Sequence, residues 1–200
     1  DMDGTLIDSM KIWSNLGREY LRARGISGDI EKEMQEIVPL TMREAAELFR
    51  ERFSLPEDAD RIAQEMYGLI EEHYKNDIPL KKGIREYLER LKKAGVRMCV
   101  ASATAEYLME ACLERLGILS WFDFILSCES IHTSKREPKI YFEAARRLRA
   151  VPEETAVYED VLHAVQTAKK AGFYVVGVYD EESDGQWEQI GKAADEVIRL

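Results

Sequence analysis

The sequence is poor in several things that would each point to a function. It has three cysteines (Cys99, Cys112 and Cys128), odd in number and scattered, with neither CxxC spacing nor an even framework. They read as buried reduced thiols, and a zinc site or a disulfide scaffold is not expected. No apolar run reaches the ~18 residues of a membrane span, and the longest approach, Gly117 to Leu126, is broken by Ser120 and Asp123. No basic stretch leads into an apolar one, so the expectation is a cytoplasmic protein. Basic charge is also short: 28 Lys plus Arg face 38 Asp plus Glu, a net charge of −10. Such a surface does not attract nucleic acid or anionic lipid. Internal repeats and low-complexity tracts are missing as well.

What remains is globular. Across 200 residues, 46% are hydrophobic and 33% charged, enough for one α/β core with a small satellite. Residues 9–76 carry helical periodicity throughout. Trp13, Leu16, Gly17, Tyr20 and Leu21 fall on one face, with Gly25 as a stop. Asp29 can cap a short helix holding Ile30, Met34 and Ile37. Thr41 and Glu44 have capping-box spacing before Ala45, Ala46, Phe49 and Phe53. Pro56 suits the start of a fourth helix carrying Ile62, Met66, Ile70 and Tyr74.

From residue 84 the pattern alternates. Helical stretches ending at Gly95, Gly117 and Gly172, and another after Pro138, separate short apolar runs at Val96–Ala101, Phe122–Leu126, Ala156–Tyr158 and Phe173–Val178. A weak last strand is expected at Glu196–Leu200. Alternation of this kind predicts an α/β fold, a doubly wound parallel sheet covered on both faces, with the four-helix block inserted as a cap. The expected division is residues 1–8 and 82–200 for the core and 9–81 for the helices. A Gly-turn motif opening at Asp1 needs about five apolar strand residues before it, so a further strand is expected upstream.

The informative stretch is Asp1-Met2-Asp3-Gly4-Thr5-Leu6-Ile7-Asp8-Ser9. Carboxylates two apart point the same way when they leave a strand end extended, and Gly4 lets the backbone turn. Close carboxylates suit a divalent cation, or a nucleophile beside an acid/base. Asp1, Ser102 (ending Met98–Ser102) and Glu159-Asp160 (ending Ala156–Asp160) fall at strand carboxyl ends, with Lys135 after Phe122–Leu126. Ligands of open α/β sheets bind there.

The nine-residue string resembles the first signature of the haloacid dehalogenase-like hydrolases. Ser102, the segment Lys135-Arg136-Glu137-Pro138-Lys139-Ile140-Tyr141, and Glu159-Asp160 followed by Ala168-Lys169-Lys170-Ala171-Gly172 resemble the remaining signatures, in order. The resemblance is to the branch of phosphoglycolate phosphatases and β-phosphoglucomutases, and it covers the whole chain. It implies Asp1 as phosphoryl-accepting nucleophile and Asp3 as acid/base. Ser102, Ala103 and Lys135 would hold the phosphate. Mg²⁺ would be held by Asp1, Asp3 through its carbonyl, and Asp160, with Glu159 alongside. Arg43 aligns with a cap arginine that contacts the non-reacting end of the substrate.

The function implied is Mg²⁺-dependent hydrolysis of a small phosphorylated metabolite through an aspartyl phosphate, with the carboxyl groups of Asp1, Asp3 and Asp160, the Ser102 hydroxyl and the Lys135 amine meeting in one cleft between core and cap. No nucleic-acid or membrane partner is expected, and the protein is expected to be a monomer or weak homodimer. A mutase of the β-phosphoglucomutase type carries a His where Trp13 stands, and a dehalogenase would lack Asp3. A silent binding module would be expected to have lost Asp1, Asp3 or Lys135. The chain departs from the family pattern at Arg136, Lys139, Val161, Ala164 and Lys82. Ala164, close to the acidic pair, bears on metal affinity.

Overall fold

The computed structural model describes residues 1–37 and 40–199, and it divides into two compact units. One comprises Asp1–Met10 and Tyr74–Leu200, the other Lys11–His73.

The second unit is helical, built on α1 (Met10–Ala23), α2 (Glu31–Ile37), α3 (Met42–Phe53) and α4 (Ala59–Asn76), of which α1 begins and α4 ends in the first unit. Leu16, Tyr20, Leu21, Ala46, Phe49, Ile62, Met66 and Ile70 form its buried face. Gly17 is small for a reason: a Cβ there would lie 2.9 Å from both Ile37 Cδ1 and Phe49 Cζ. The Thr41–Glu44 capping box is formed in both directions at the start of α3. Pro56 does not begin α4. It lies three residues ahead, and the Asp58 carboxylate accepts from the Arg61 amide at 2.8 Å instead. A side-chain acceptor satisfies an orphan amide of the first turn, which proline cannot do.

The first unit alternates strand and helix after α5 (Ile84–Lys93). Its strands are β1 (Cys99–Ser102), β2 (Phe124–Ser127), β3 (Ala156–Glu159), β4 (Tyr174–Val178) and β5 (Glu196–Ile198). The α-helices between successive strands are α6 (Glu106–Arg115), α7 (Lys139–Leu148), α8 (Leu162–Lys170) and α9 (Trp187–Ala193). All strand pairings are parallel, as the alternation predicts. The last strand forms as expected, although Leu200 lies outside the described residues. Leu126, Ile140, Tyr141, Ala145, Val165, Ala168, Phe173 and Val175 make one buried cluster.

Among the described residues the strands form two groups, β1–β2 and β3–β4–β5. A 460 Å³ cavity lies between their facing edges, lined by Cys99 and Ala101 on one side and Val157 and Tyr158 on the other. Residues 2–7 do not bridge it, because the Met2 carbonyl accepts from the Leu6 and Ile7 amides at 2.7 and 3.1 Å and winds the chain into a turn.

Candidate active site

That turn is where the site begins. Gly4 has φ +68°, open to glycine and strained for other residues. The Asp1 nitrogen donates to the Tyr158 carbonyl at 2.9 Å, placing Asp1 beside the carboxyl end of β3. An isolated antiparallel bridge between Ile7 and Leu80 holds the far side.

Glu159 ends β3 and is fully buried, and Asp160 follows it at 1% exposure. Burying two adjacent carboxylates is costly unless charge or hydrogen bonds compensate. Lys135 supplies the charge. Its Nζ lies 2.6 Å from Asp1 Oδ1 and 2.7 Å from Glu159 Oε1. Hydrogen bonds come from Tyr141 Oη, which donates to Glu159 Oε1 at 3.0 Å, and from Thr5 Oγ1, which donates to Asp160 Oδ1 at 3.1 Å. The Met2 amide donates to Asp1 Oδ1 at 2.6 Å. Burial, and then the Glu159 charge, push the Asp160 carboxyl up to about 7, against the downward pull of Lys135.

Carboxylate oxygens of Asp1, Glu159 and Asp160 lie within 4.8 Å of one another. One lysine pairs with two of these three carboxylates, and two buried oxygens, Glu159 Oε2 and Asp160 Oδ2, have no hydrogen-bond partner. An all-oxygen set with excess negative charge and unsatisfied lone pairs fits a hard divalent cation. The residues therefore suit Mg²⁺ chemically.

The Asp3 carboxylate belongs to a different set of contacts. Ser9 Oγ and Tyr74 Oη donate to its Oδ1, the former at 2.6 Å, and Thr104 Oγ1 donates to Oδ2 at 2.6 Å. The structure thus separates the two acids of the turn by partner: Asp1 faces lysine, Asp3 faces three hydroxyls. Ser102, buried at the end of β1, accepts from the Thr104 amide at 3.3 Å, and Ala103 is exposed in the same loop. Arg43 is in the helical unit, 74% exposed and paired with Asp60 at 2.7 Å.

Sequence reasoning passed over Thr5, Ser9, Tyr74, Thr104 and Tyr141. Thr5, Ser9 and Tyr141 stood inside quoted motifs, and only their roles as donors were missing. Tyr74 and Thr104 carry no spacing signal, because hydroxyls that meet one carboxylate from 71 and 101 residues away follow no local pattern.

A curated phosphorylated carbohydrates phosphatase of Thermotoga maritima is 25% identical over 187 residues, 93% of this chain and 86% of that protein. A bifunctional riboflavin kinase/FMN phosphatase of Arabidopsis thaliana is 31% identical over 199 residues, 99% of this chain but 51% of that protein. Among solved structures, one described as a putative β-phosphoglucomutase from Thermotoga maritima superposes with a TM-score of 0.85 at 24% identity, covering 100% of this chain and 92% of that one. That likeness is one of fold. The family model described as haloacid dehalogenase-like hydrolase matches residues 1–178. With nearly nine-tenths of its length so matched, the chain belongs to the haloacid dehalogenase-like hydrolase family.

Proposed function

We propose that the chain is a Mg²⁺-dependent phosphoric monoester hydrolase that acts on a small phosphorylated metabolite through a phosphoaspartyl intermediate on Asp1. The observation that carries this reading is the meeting of Asp1, Lys135, Glu159 and Asp160 at the carboxyl end of β3.

In this reading an Asp1 carboxylate oxygen forms a bond to phosphorus while the bond to the leaving oxygen breaks. Asp3 gives that oxygen its proton, then takes a proton from the water that hydrolyses the acyl phosphate and restores Asp1. Lys135 orients Asp1 and opposes charge on the phosphoryl oxygens, with the Ser102 hydroxyl and the Ala103 amide as further donors. Asp1, Asp160 and the Asp3 carbonyl, with Glu159 alongside, would hold Mg²⁺, which would supply neutralisation of phosphoryl charge. Asp3 accepts from two hydroxyls at Oδ1 and one at Oδ2, which leaves an acceptor position on Oδ2 for the leaving group's proton. Residues 9–81 act as the cap, selecting the leaving group and shedding bulk water. The relatives' names favour a phosphorylated sugar as substrate.

The test is turnover of an aryl phosphate and of a panel of sugar phosphates, with Mg²⁺ and with chelator, for the wild type and Asp1→Asn. The expected result is Mg²⁺-dependent release of phosphate and free sugar, lost in Asp1→Asn because an amide is a poor nucleophile. Full turnover by Asp1→Asn would end the covalent reading, and an isomerised sugar phosphate as product would replace hydrolysis with mutase chemistry.

A further inference from the structure

An ammonium carries three N–H donors, and a buried lysine is tolerated when each finds an acceptor. Lys81, whose side chain is 13% exposed, meets that condition away from the carboxylate cluster. Its Nζ donates to the Gly4 carbonyl at 2.7 Å, the Tyr179 carbonyl at 2.6 Å and Asp180 Oδ2 at 2.8 Å. Its own amide donates to the Leu6 carbonyl at 2.9 Å. One residue therefore holds the turn at two carbonyls and ties it to the loop after β4.

The loop end of this tie is itself fixed. Asp180 is 4% exposed, and its Oδ1 accepts from the Glu182 amide at 3.0 Å. The turn end touches the site. A Cβ on Gly4 would lie 2.6 Å from Asp160 Cγ, and Thr5 Oγ1 is bonded to Asp160 Oδ1 at 3.1 Å. Gly4 and Thr5 thus stand against Asp160 while Gly4 and Leu6 hang from Lys81. A planar guanidinium does not reproduce this, because the three acceptors converge on one nitrogen.

We propose that Lys81 is a positioning residue: it fixes the Asp1–Leu6 turn to the loop after β4 and so sets the spacing between Asp1 and Asp160. The proposal rests on the metal-dependent reading above, since spacing matters most to groups that must hold one cation together. Partners of this kind, which orient ligands without touching the metal, typically contribute about 10–100-fold in affinity or activity.

Lys81→Met alone strands the buried Asp180 charge and is expected to unfold more easily. The informative protein is Lys81→Met/Asp180→Leu, which removes both charges, compared with the wild type and with Lys81→Arg. Two measurements are read: Mg²⁺ titration by calorimetry, and amide hydrogen exchange at Thr5 and Leu6. The expected result is cooperative unfolding, faster exchange at those amides, and Mg²⁺ affinity weaker by about 10–100-fold. Lys81→Arg is expected to behave alike, and it decides the matter if the double variant does not fold.

A folded variant with wild-type exchange, or with faster exchange but wild-type Mg²⁺ affinity, overturns the proposal. If the wild type binds Mg²⁺ but hydrolyses no phosphate ester, the functional reading fails while the titration still judges Lys81. If the wild type binds no Mg²⁺, the positioning proposal falls.

Discussion

Gly4 and Asp160 are packed so closely that the Cβ glycine lacks would stand 2.6 Å from Asp160 Cγ. Their contact joins residues 156 positions apart, and it makes the glycine a condition of the site rather than of the turn alone. Gly4→Ala meets two obstacles, that contact and a φ of +68°. Backbone strain of this kind costs about 1–3 kcal/mol. The expected outcome is a lower urea midpoint together with weaker Mg²⁺ binding. A variant destabilised but with intact Mg²⁺ affinity would show that Asp160 moves aside freely.

Asp3 accepts from Ser9, Tyr74 and Thr104. Asp3→Asn keeps the shape of the side chain and removes its proton-transfer capacity, so kcat should fall by about 10²–10⁴-fold with little change in thermal midpoint. The loss should be smaller for an aryl phosphate with a good leaving group, which needs less protonation. Steady-state kinetics on two esters of different leaving-group acidity checks this.

The sign of the pH effect at Asp160 follows from its raised pKa. The carboxyl moves from 3.8 to about 7 through burial and then the Glu159 charge. Between those values the folded state holds a proton that the unfolded state releases, so raising the pH removes stability. With chelator present, the wild type should lose stability relative to Asp160→Asn as pH rises from 4 to 7, with no further change above that. Urea midpoints of both proteins across this window are the measurement, and a constant difference would contradict the assignment.

Lys135 is 7% exposed and serves two carboxylates. Removing one partner from a buried ion pair typically costs about 3–5 kcal/mol. Lys135→Met should therefore unfold far more readily than the wild type without metal. Mg²⁺ at a hundred times its dissociation constant stabilises a folded state by about 2.7 kcal/mol. It should restore part of the loss, and denaturant melts with and without Mg²⁺ would show it. No recovery would mean that the cation does not reach Asp1 and Glu159.

Much of the architecture was legible because local signals agreed with one another. Thr41 and Glu44 form their capping box, and the four short apolar runs become β1 to β4 with boundaries moved by at most three residues. Pro56 misled because a proline marks the neighbourhood of a helix start, while Asp58, with a free acceptor, sets the cap. Asp1, Lys135, Glu159 and Asp160 were visible as motif residues, and the structure brings them together. What could not be read was pairing across the fold. The hydroxyls of Tyr74 and Thr104 reach Asp3, and the Lys81 ammonium reaches Gly4, through tertiary packing alone.

β1 and β2 come from residues 99–127 and β3 to β5 from residues 156–198. α7 joins them: Ile140, Tyr141 and Ala145 pack with Leu126 and with Phe173 and Val175, and Tyr141 bonds Glu159. It is the keystone of the unit. Core elements of this kind open only at free energies near that of global unfolding. Each opening of α7 would release Tyr141 from Glu159, so the order of the acidic cluster is limited by the docking of one ten-residue helix.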